Sequence, residues 1–238
     1  MIDHTLLAPT AGTGDIEELC AQAASYHFAS VCVNPCFVSV AKKALDGTDV
    51  HVCTVISFPL GADATEAKAY EAQCAIRDGA DEIDMVMNIG AALGGMFSAV
   101  EEDIRAVASA CREAGIGAGR KVILKVILET CFLDDKAIEK CCICAMNAGA
   151  DFVKTSTGFA APKGSDGNLL PNGASAHHVE LMRRTVGTSI GVKASGGIRS
   201  ACAAARMIIA GANRIGTSSG IQIIDTWDET ILISGRDG

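Results

Sequence analysis

The sequence has no apolar run long enough to cross a bilayer. It has no block of like charge either: lysines and arginines are scattered through a chain of net charge −8. Non-specific nucleic-acid binding needs a basic stripe, so that class is excluded. A small anionic ligand is not excluded, because a local site can be positive on an acidic protein. No linker rich in Pro, Gly or Ser divides the 238 residues, which predicts one domain over residues 1–238. "IDHTLLAPTAGTG", after the first strand signal, is a poor match to a dinucleotide-binding turn. "AGIGAGRK" (114–121) is glycine-rich but leads into a strand, so it reads as a loop. No leader-like segment precedes "MIDHTLL".

Hydrophobic residues make up 49% of the chain, enough for a large core. The 11 cysteines are odd in number, and Cys32, Cys53, Cys111 and Cys202 fall in apolar patterns. Reduced, mostly buried thiols in a cytosolic protein are expected.

Strand and helix signals alternate. Strands are expected at "IDHTLL", 30–35, 51–61, 81–88, 121–130, 151–158, 190–198 and 213–219. Helices are expected at Gly14–Ser25, Phe37–Leu45, Thr65–Asp78, Ser98–Ala114, Asp134–Ala148, Ser175–Val186, Ser200–Ala210 and from Ile221 to Trp227. The strands are continuous apolar runs, as parallel strands under helices should be. "DGADEIDM", "NAGADFVK" and "IAGANRIG" form a partial repeat, each with a glycine placed to end a helix before a strand. Eight such units predict an α/β fold, a (β/α)8 TIM barrel. A doubly wound sheet is the alternative, and usually has fewer strands.

In a barrel the site lies at the C-terminal strand ends. The polar residues there are Asp3 and Thr5, then Cys32 and Asn34, Ser57, Asp84 and Asn88, Lys125 and Glu129, Lys154 and Ser156, Lys193 and Ser195, and Thr217 and Ser218. Alternate residues share a face, so Phe152, Lys154 and Ser156 point one way, as do Lys193 and Ser195, and Asp84 and Asn88. If those faces point inward, two lysines on neighbouring strands meet. Free lysine has a pKa of about 10.4, and carbonyl addition needs the neutral amine. Burial and a second ammonium about 4–6 Å away both lower it. Lys154 is then a Schiff-base nucleophile, Lys193 its pKa-lowering neighbour, and Asp84 a proton shuttle through a bound water. The alternative is structural: each lysine simply paired with Asp84 or Glu129. Lys125 shares Glu129's face and is placed in a charge network around Asp84.

"SGG" (195–197) and "TSSG" (217–220) follow strands seven and eight, where barrels often hold phosphate. Gly196 and Gly197 let the backbone approach, and Ser218 and Ser219 add donors. Turn and cap chemistry explains either motif alone; the two together favour phosphate. Asp3, Cys32 and Thr155 complete the candidate substrate contacts. An accessible Cys32 thiol would be open to attack by aldehydes.

"IDHTLL", "VCVNP", "VISFPLG", "DEIDMVMNIGAAL", "KVILET", "DFVKTSTGF", "VKASGGIR" and "IGTSSG", in that order, resemble the deoxyribose-phosphate aldolases along nearly the whole chain. "VKTSTG" with "VKASGG" is the most diagnostic pair. The resemblance implies a class I aldolase that cleaves 2-deoxy-D-ribose 5-phosphate reversibly to acetaldehyde and D-glyceraldehyde 3-phosphate, without metal or cofactor. It implies a Schiff base at Lys154, tuning by Lys193, proton relay by Asp84, and phosphate held by Gly196, Gly197, Ser218 and Ser219. Some members carry a phosphate-contacting lysine where this chain has Phe159. Members often have a helix before "IDHTLL", so the barrel bottom is expected to be open or covered by a partner. A homo-oligomer, dimer or tetramer, is left open. The tail "TWDETILISGRDG" is assigned no role.

Other signals read as ordinary structure. Cys141 and Cys144 form C-x-x-C late in a helix, where a packed face outweighs a redox pair. His177 and His178 start a helix and read as a solvated face. Two other functions stay open: a phosphosugar isomerase, which needs a carboxylate base, and a silent barrel that only binds a phosphosugar.

Overall fold

Parallel strands must be covered on both faces, and closing the sheet on itself does this without leaving edges. The computed structural model describes residues 1–228 and shows this closure. Its strands are β1 (Ile2–Leu6), β2 (Ser30–Val33), β3 (His51–Ile56), β4 (Glu82–Val86), β5 (Ile123–Ile127), β6 (Phe152–Lys154), β7 (Gly191–Ser195) and β8 (Arg214–Thr217). They pair in sequence order, all parallel, and β8 returns to β1. The fold is the expected (β/α)8 barrel.

Helices α1 (Thr13–Ser25), α2 (Val38–Ala44), α3 (Thr65–Asp78), α4 (Ile89–Leu93), α5 (Phe97–Gly117), α6 (Asp135–Ala148), α7 (Ala176–Val186) and α8 (Ala201–Ile209) connect the strands, and α9 (Gly220–Asp225) follows β8. Helix α5 buries Val100, Ile104, Val107 and Cys111, one stripe at helical spacing. Such stripes meet the outward strand residues Val31, Ile83, Val153 and Val192 in one apolar cluster. Each fully buried branched side chain there stabilises by about 1.5–3 kcal/mol. Gly79 and Gly149 end α3 and α6 at φ +118° and +90°, and Gly211 follows α8 at φ +111°, as the repeat implied.

Some expected boundaries shift. The third strand stops at Ile56 because Ser57 turns at φ +50°. The sixth ends at Lys154 rather than at 158. Helix α4 was not expected; it is one short turn, capped by Asn88 Oδ1 accepting from the Ala91 amide. Helix α5 runs past 114 into "AGIG" because Gly115 lets the chain fold back: a Cβ there would lie 2.8 Å from the Arg120 carbonyl oxygen. Cys141 and Cys144 pack inward, as read, while Cys202 is exposed, against expectation. The tail lies outside the described residues from Glu229 onward.

The barrel interior differs from the outer core. Its inward residues include Asp3, Ser30, Cys32, Cys53, Glu82, Asp84, Lys125 and Lys193, all buried. Towards the N-terminal end, Phe152 lays its ring against Gly191, where a Cβ would be 2.1 Å from a ring carbon. Gly191→Ala therefore forces the ring to move. It is expected to cost about 1–3 kcal/mol, read as a lower urea midpoint at unchanged slope.

Candidate active site

Parallel register places Lys154 opposite Lys193, and Asp84 opposite Lys125. Side-chain parity then sends all four inward. Asp84 Oδ2 lies 2.7 Å from Lys154 Nζ and 2.8 Å from Lys193 Nζ; its Oδ1 lies 2.8 Å from Lys125 Nζ. The Cys53 thiol donates to Oδ1 as well, at 3.2 Å. One carboxylate is thus shared by three ammoniums. Gly216 makes room for this: a Cβ there would sit 3.0 Å from Lys193 Cε.

The network extends below Asp84. Lys193 also reaches Asp3 at 2.6 Å, Lys125 pairs with Glu82, and Arg214 bridges Glu82 and Asp3. Burial alone would push the Asp84 carboxyl up; the ammoniums of Lys125, Lys154 and Lys193 outweigh it and hold that carboxyl well below the usual range. Burial pulls Lys193 down, but Asp3 and Asp84 more than compensate, so it stays an ammonium. Lys125 stays charged by the same balance, against Asp84 and Glu82. Lys125, Lys154, Lys193 and Arg214 share Asp3, Glu82 and Asp84, and His51 also meets Glu82. Lys125 and Lys193 each contact more than one carboxylate, whereas the only ion pair of Lys154 among the described residues is with Asp84. Lys154 is also the lysine of this cluster that faces open space.

That space is a cavity of about 540 Å³ at the C-terminal end of the barrel. Lys154 lies on its wall, with Thr157, Gly158 and Phe159 from the loop after β6. Ser195, Gly196, Gly197 and Arg199 come from β7 and its loop, and Gly216, Thr217 and Ser218 from β8. Leu6 to Pro9 give an apolar side. Gly196 and Gly197 sit at φ +89° and +78°. A Cβ on Gly196 would be 2.8 Å from Gly173 Cα, whereas the position above Gly197 is open. Phe159 meets Phe58 edge-on at 5.2 Å over this mouth. A groove of about 600 Å³ at the other end of the barrel, beside Arg112, Ile116 and Arg120, has no comparable cluster.

The structure brings Lys154, Lys193 and Asp84 together, and puts Gly196, Gly197 and Ser218 on the cavity wall. Three other candidates are corrected. Asp3 lies within β1, fully buried beneath Lys193, and serves the ion network. Cys32 is also fully buried, beside Cys53, so the accessible thiol expected on the rim is not there. Thr155 exchanges hydrogen bonds with the Ser195 backbone at 3.0 Å, both as donor and acceptor, and stitches β6 to β7. Ser219, next to Ser218 after β8, borders the adjoining groove with Ser218, His4 and Gln22, and its amide donates to Thr217 Oγ1. Glu129 does not join Lys125. At φ +54° it has left the strand, so parity fails, and it accepts from the Thr157 amide and hydroxyl instead. Burial raises its carboxyl pKa, against the Thr157 bonds and Lys154.

Sequence reasoning missed Glu82 and Arg214. Glu82 lies two residues before Asp84 and shares its inward face, a signal parity held. It also missed Arg199, two residues past the glycine pair on the same loop.

An α/β barrel with a lysine at the base of a cavity at its C-terminal end defines a class: barrel enzymes equipped to attack a carbonyl with an amine. Residues 1–226 match the model of the DeoC/LacD family aldolases, and the chain belongs to that family. It is 51% identical over 237 residues to a deoxyribose-phosphate aldolase of Carboxydothermus hydrogenoformans, covering 100% of this chain and 96% of the relative. A deoxyribose-phosphate aldolase of Streptococcus mutans is 53% identical over 224 residues, 94% of either chain. The tetrameric deoxyribose phosphate aldolase of Aeropyrum pernix superposes with a TM-score of 0.82 at 34% identity, over 94% of this chain and 88% of its own.

The ion network has a pH consequence. The Glu82 carboxyl is held down to about 2: burial would raise it, and Lys125, His51 and Arg214 lower it further than that. A depressed carboxylate adds stability above its unfolded pKa, about 4.3, and loses it as pH falls through the folded value. Stability is therefore expected to fall between about pH 5 and 2 with net proton uptake. Urea titrations across that range check this, and Glu82→Gln should flatten the slope.

Proposed function

We propose that Lys154 is the Schiff-base lysine of this aldolase, with Asp84 and Lys193 moving protons beside it. The chain is a class I aldolase that cleaves 2-deoxy-D-ribose 5-phosphate reversibly to acetaldehyde and D-glyceraldehyde 3-phosphate. The observation that carries the assignment of Lys154 is its place: at the base of the cavity, yet 2.7 Å from a carboxylate already shared by two more ammoniums. Of the three lysines, Lys154 has the fewest carboxylate partners and the open side. Its Nζ then adds to C1 of the open-chain sugar. Loss of water from the carbinolamine gives the iminium. The C3 hydroxyl loses its proton and the C2–C3 bond breaks. Glyceraldehyde 3-phosphate leaves as C3 to C5, and the electron pair stays on C1–C2 as an enamine. Protonation at C2 and hydrolysis release acetaldehyde and the free amine. Asp84 bridges Lys154 and Lys193 and is the path for a proton between them. Lys193, kept charged by Asp3 and Asp84, is the acid of the pair.

Gly196, Gly197, Ser218 and Arg199 stand where the phosphate end would lie, on the loops after β7 and β8. The isomerase reading is disfavoured by the cavity wall, which carries no carboxylate among the described residues. A reducing cytosol fits eleven free cysteines. A homo-oligomer is in keeping with the tetrameric relative.

Borohydride reduction in the presence of acetaldehyde should leave an N-ethyl group on Lys154, read by peptide mass mapping. Lys154→Ala should lose both the adduct and at least about 10³-fold in kcat. An adduct on another lysine, or turnover surviving the substitution, rejects the assignment. Loss of turnover with phosphosugar binding intact would also reject the silent barrel. Arg199→Ala should raise KM for the phosphorylated sugar roughly tenfold, one charge-assisted hydrogen bond, and leave unphosphorylated deoxyribose unchanged.

A further inference from the structure

Two groups of ligand-type side chains converge in the described residues. Cys32, Cys53 and Asp84 form one, but the three ammoniums around Asp84 fill the place a cation would take. The other is Asp135, His177 and His178, outside the cavity, where α6 and α7 begin side by side.

Adjacent residues on a helix point about 100° apart, so neighbouring histidines do not ordinarily converge. Here their ring centroids lie 5.5 Å apart. One ring nitrogen of each and one Asp135 oxygen all fall within 4.8 Å of one another. His177 Nε2 is 2.9 Å from Asp135 Oδ2. Both helix starts are pinned by caps: Ser175 Oγ accepts from the His178 amide, and Asp134 Oδ1 from the Ala137 amide. The candidate ligands therefore stand on rigid first turns, not on a free loop. An exposed ion pair accounts for His177 and Asp135. It does not account for His178, whose Nδ1 is buried without a hydrogen-bond partner.

We propose that Asp135, His177 and His178 bind one divalent transition-metal ion of the zinc type. Two imidazoles and one carboxylate suit Zn²⁺ or Co²⁺ better than Mg²⁺ or Ca²⁺, which prefer oxygen. Ligand atoms about 2.0–2.2 Å from a tetrahedral metal lie roughly 3.3–3.6 Å from one another, so small side-chain rotations complete the set. The exposed side of the cluster leaves the fourth position to water. The metal would tie α6 to α7, the helices on either side of β6 and the loop that carries Phe159. It would act on stability and not on the carbonyl chemistry.

The test is calorimetric titration of tag-free, metal-stripped protein with ZnCl2 and with CoCl2. One equivalent per chain is expected. The double variant His177→Gln, His178→Gln should lose it, and Asp135→Asn should weaken it at least tenfold. Bound Co²⁺ should show no thiolate charge-transfer band, which separates this site from the cysteines. At a hundredfold excess over Kd the unfolding midpoint should rise by about 5 °C or more in the parent chain only. Equal stoichiometry in parent and double variant, a thiolate band, or no saturable binding overturns the proposal. Asp135→Asn, on the other helix, keeps the test decisive if the double variant does not fold.

Discussion

The rest of the molecule depends on one carboxylate shared by three ammonium groups. Asp84 cannot be removed from that arrangement without leaving Lys125, Lys154 and Lys193 buried with too little negative charge. An uncompensated buried charge costs far more than the pair gains, so the network is all-or-none in character. That is why the barrel interior is built of charged layers instead of the branched apolar layers usual in such folds. Asp3, Glu82 and Arg214 extend the balance downward, and each strand from β4 to β8, with β1, supplies at least one member.

The same arrangement answers two opposed needs. A nucleophilic amine must be neutral when it attacks, and proton transfer beside it needs an acid. Lys193 and Lys125 are locked as ammoniums by several carboxylates each. Lys154 has one carboxylate partner and an open side. Asymmetry in the number of partners, more than proximity alone, distinguishes the two lysines. The two lysines read from parity lie side by side in the barrel, and the Lys193 ammonium is answered by Asp3 and Asp84.

The cavity divides the same way. Its base is polar and rigid, tied by Thr155 and Ser195 across β6 and β7. Its rim is assembled from loops: the glycine pair after β7, Ser218 after β8, and Phe159 against Phe58. Glu129 holds the Thr157 end of that rim through two hydrogen bonds. A fixed charged centre below a rim of loops is what the barrel architecture permits.

Periodicity, helix-ending glycines and strand parity were enough to reach the barrel, the inward lysines and Asp84, because those depend on local repeats of two and of 3.6 residues. Parity held as long as the strand did. It failed at Glu129, where φ turns positive, and it said nothing of depth, so Asp3, Cys32 and Thr155 were placed on the wall when they lie beneath or between strands. The convergence of His177 and His178 with Asp135 joins two helices 42 residues apart, which no local pattern encodes. Sequence alone determined which residues face inward, since alternation is a property of the backbone. Only the closed barrel decided which of them meet, at what depth, and with how many partners, because that is set by strand register and the staggering of eight ladders.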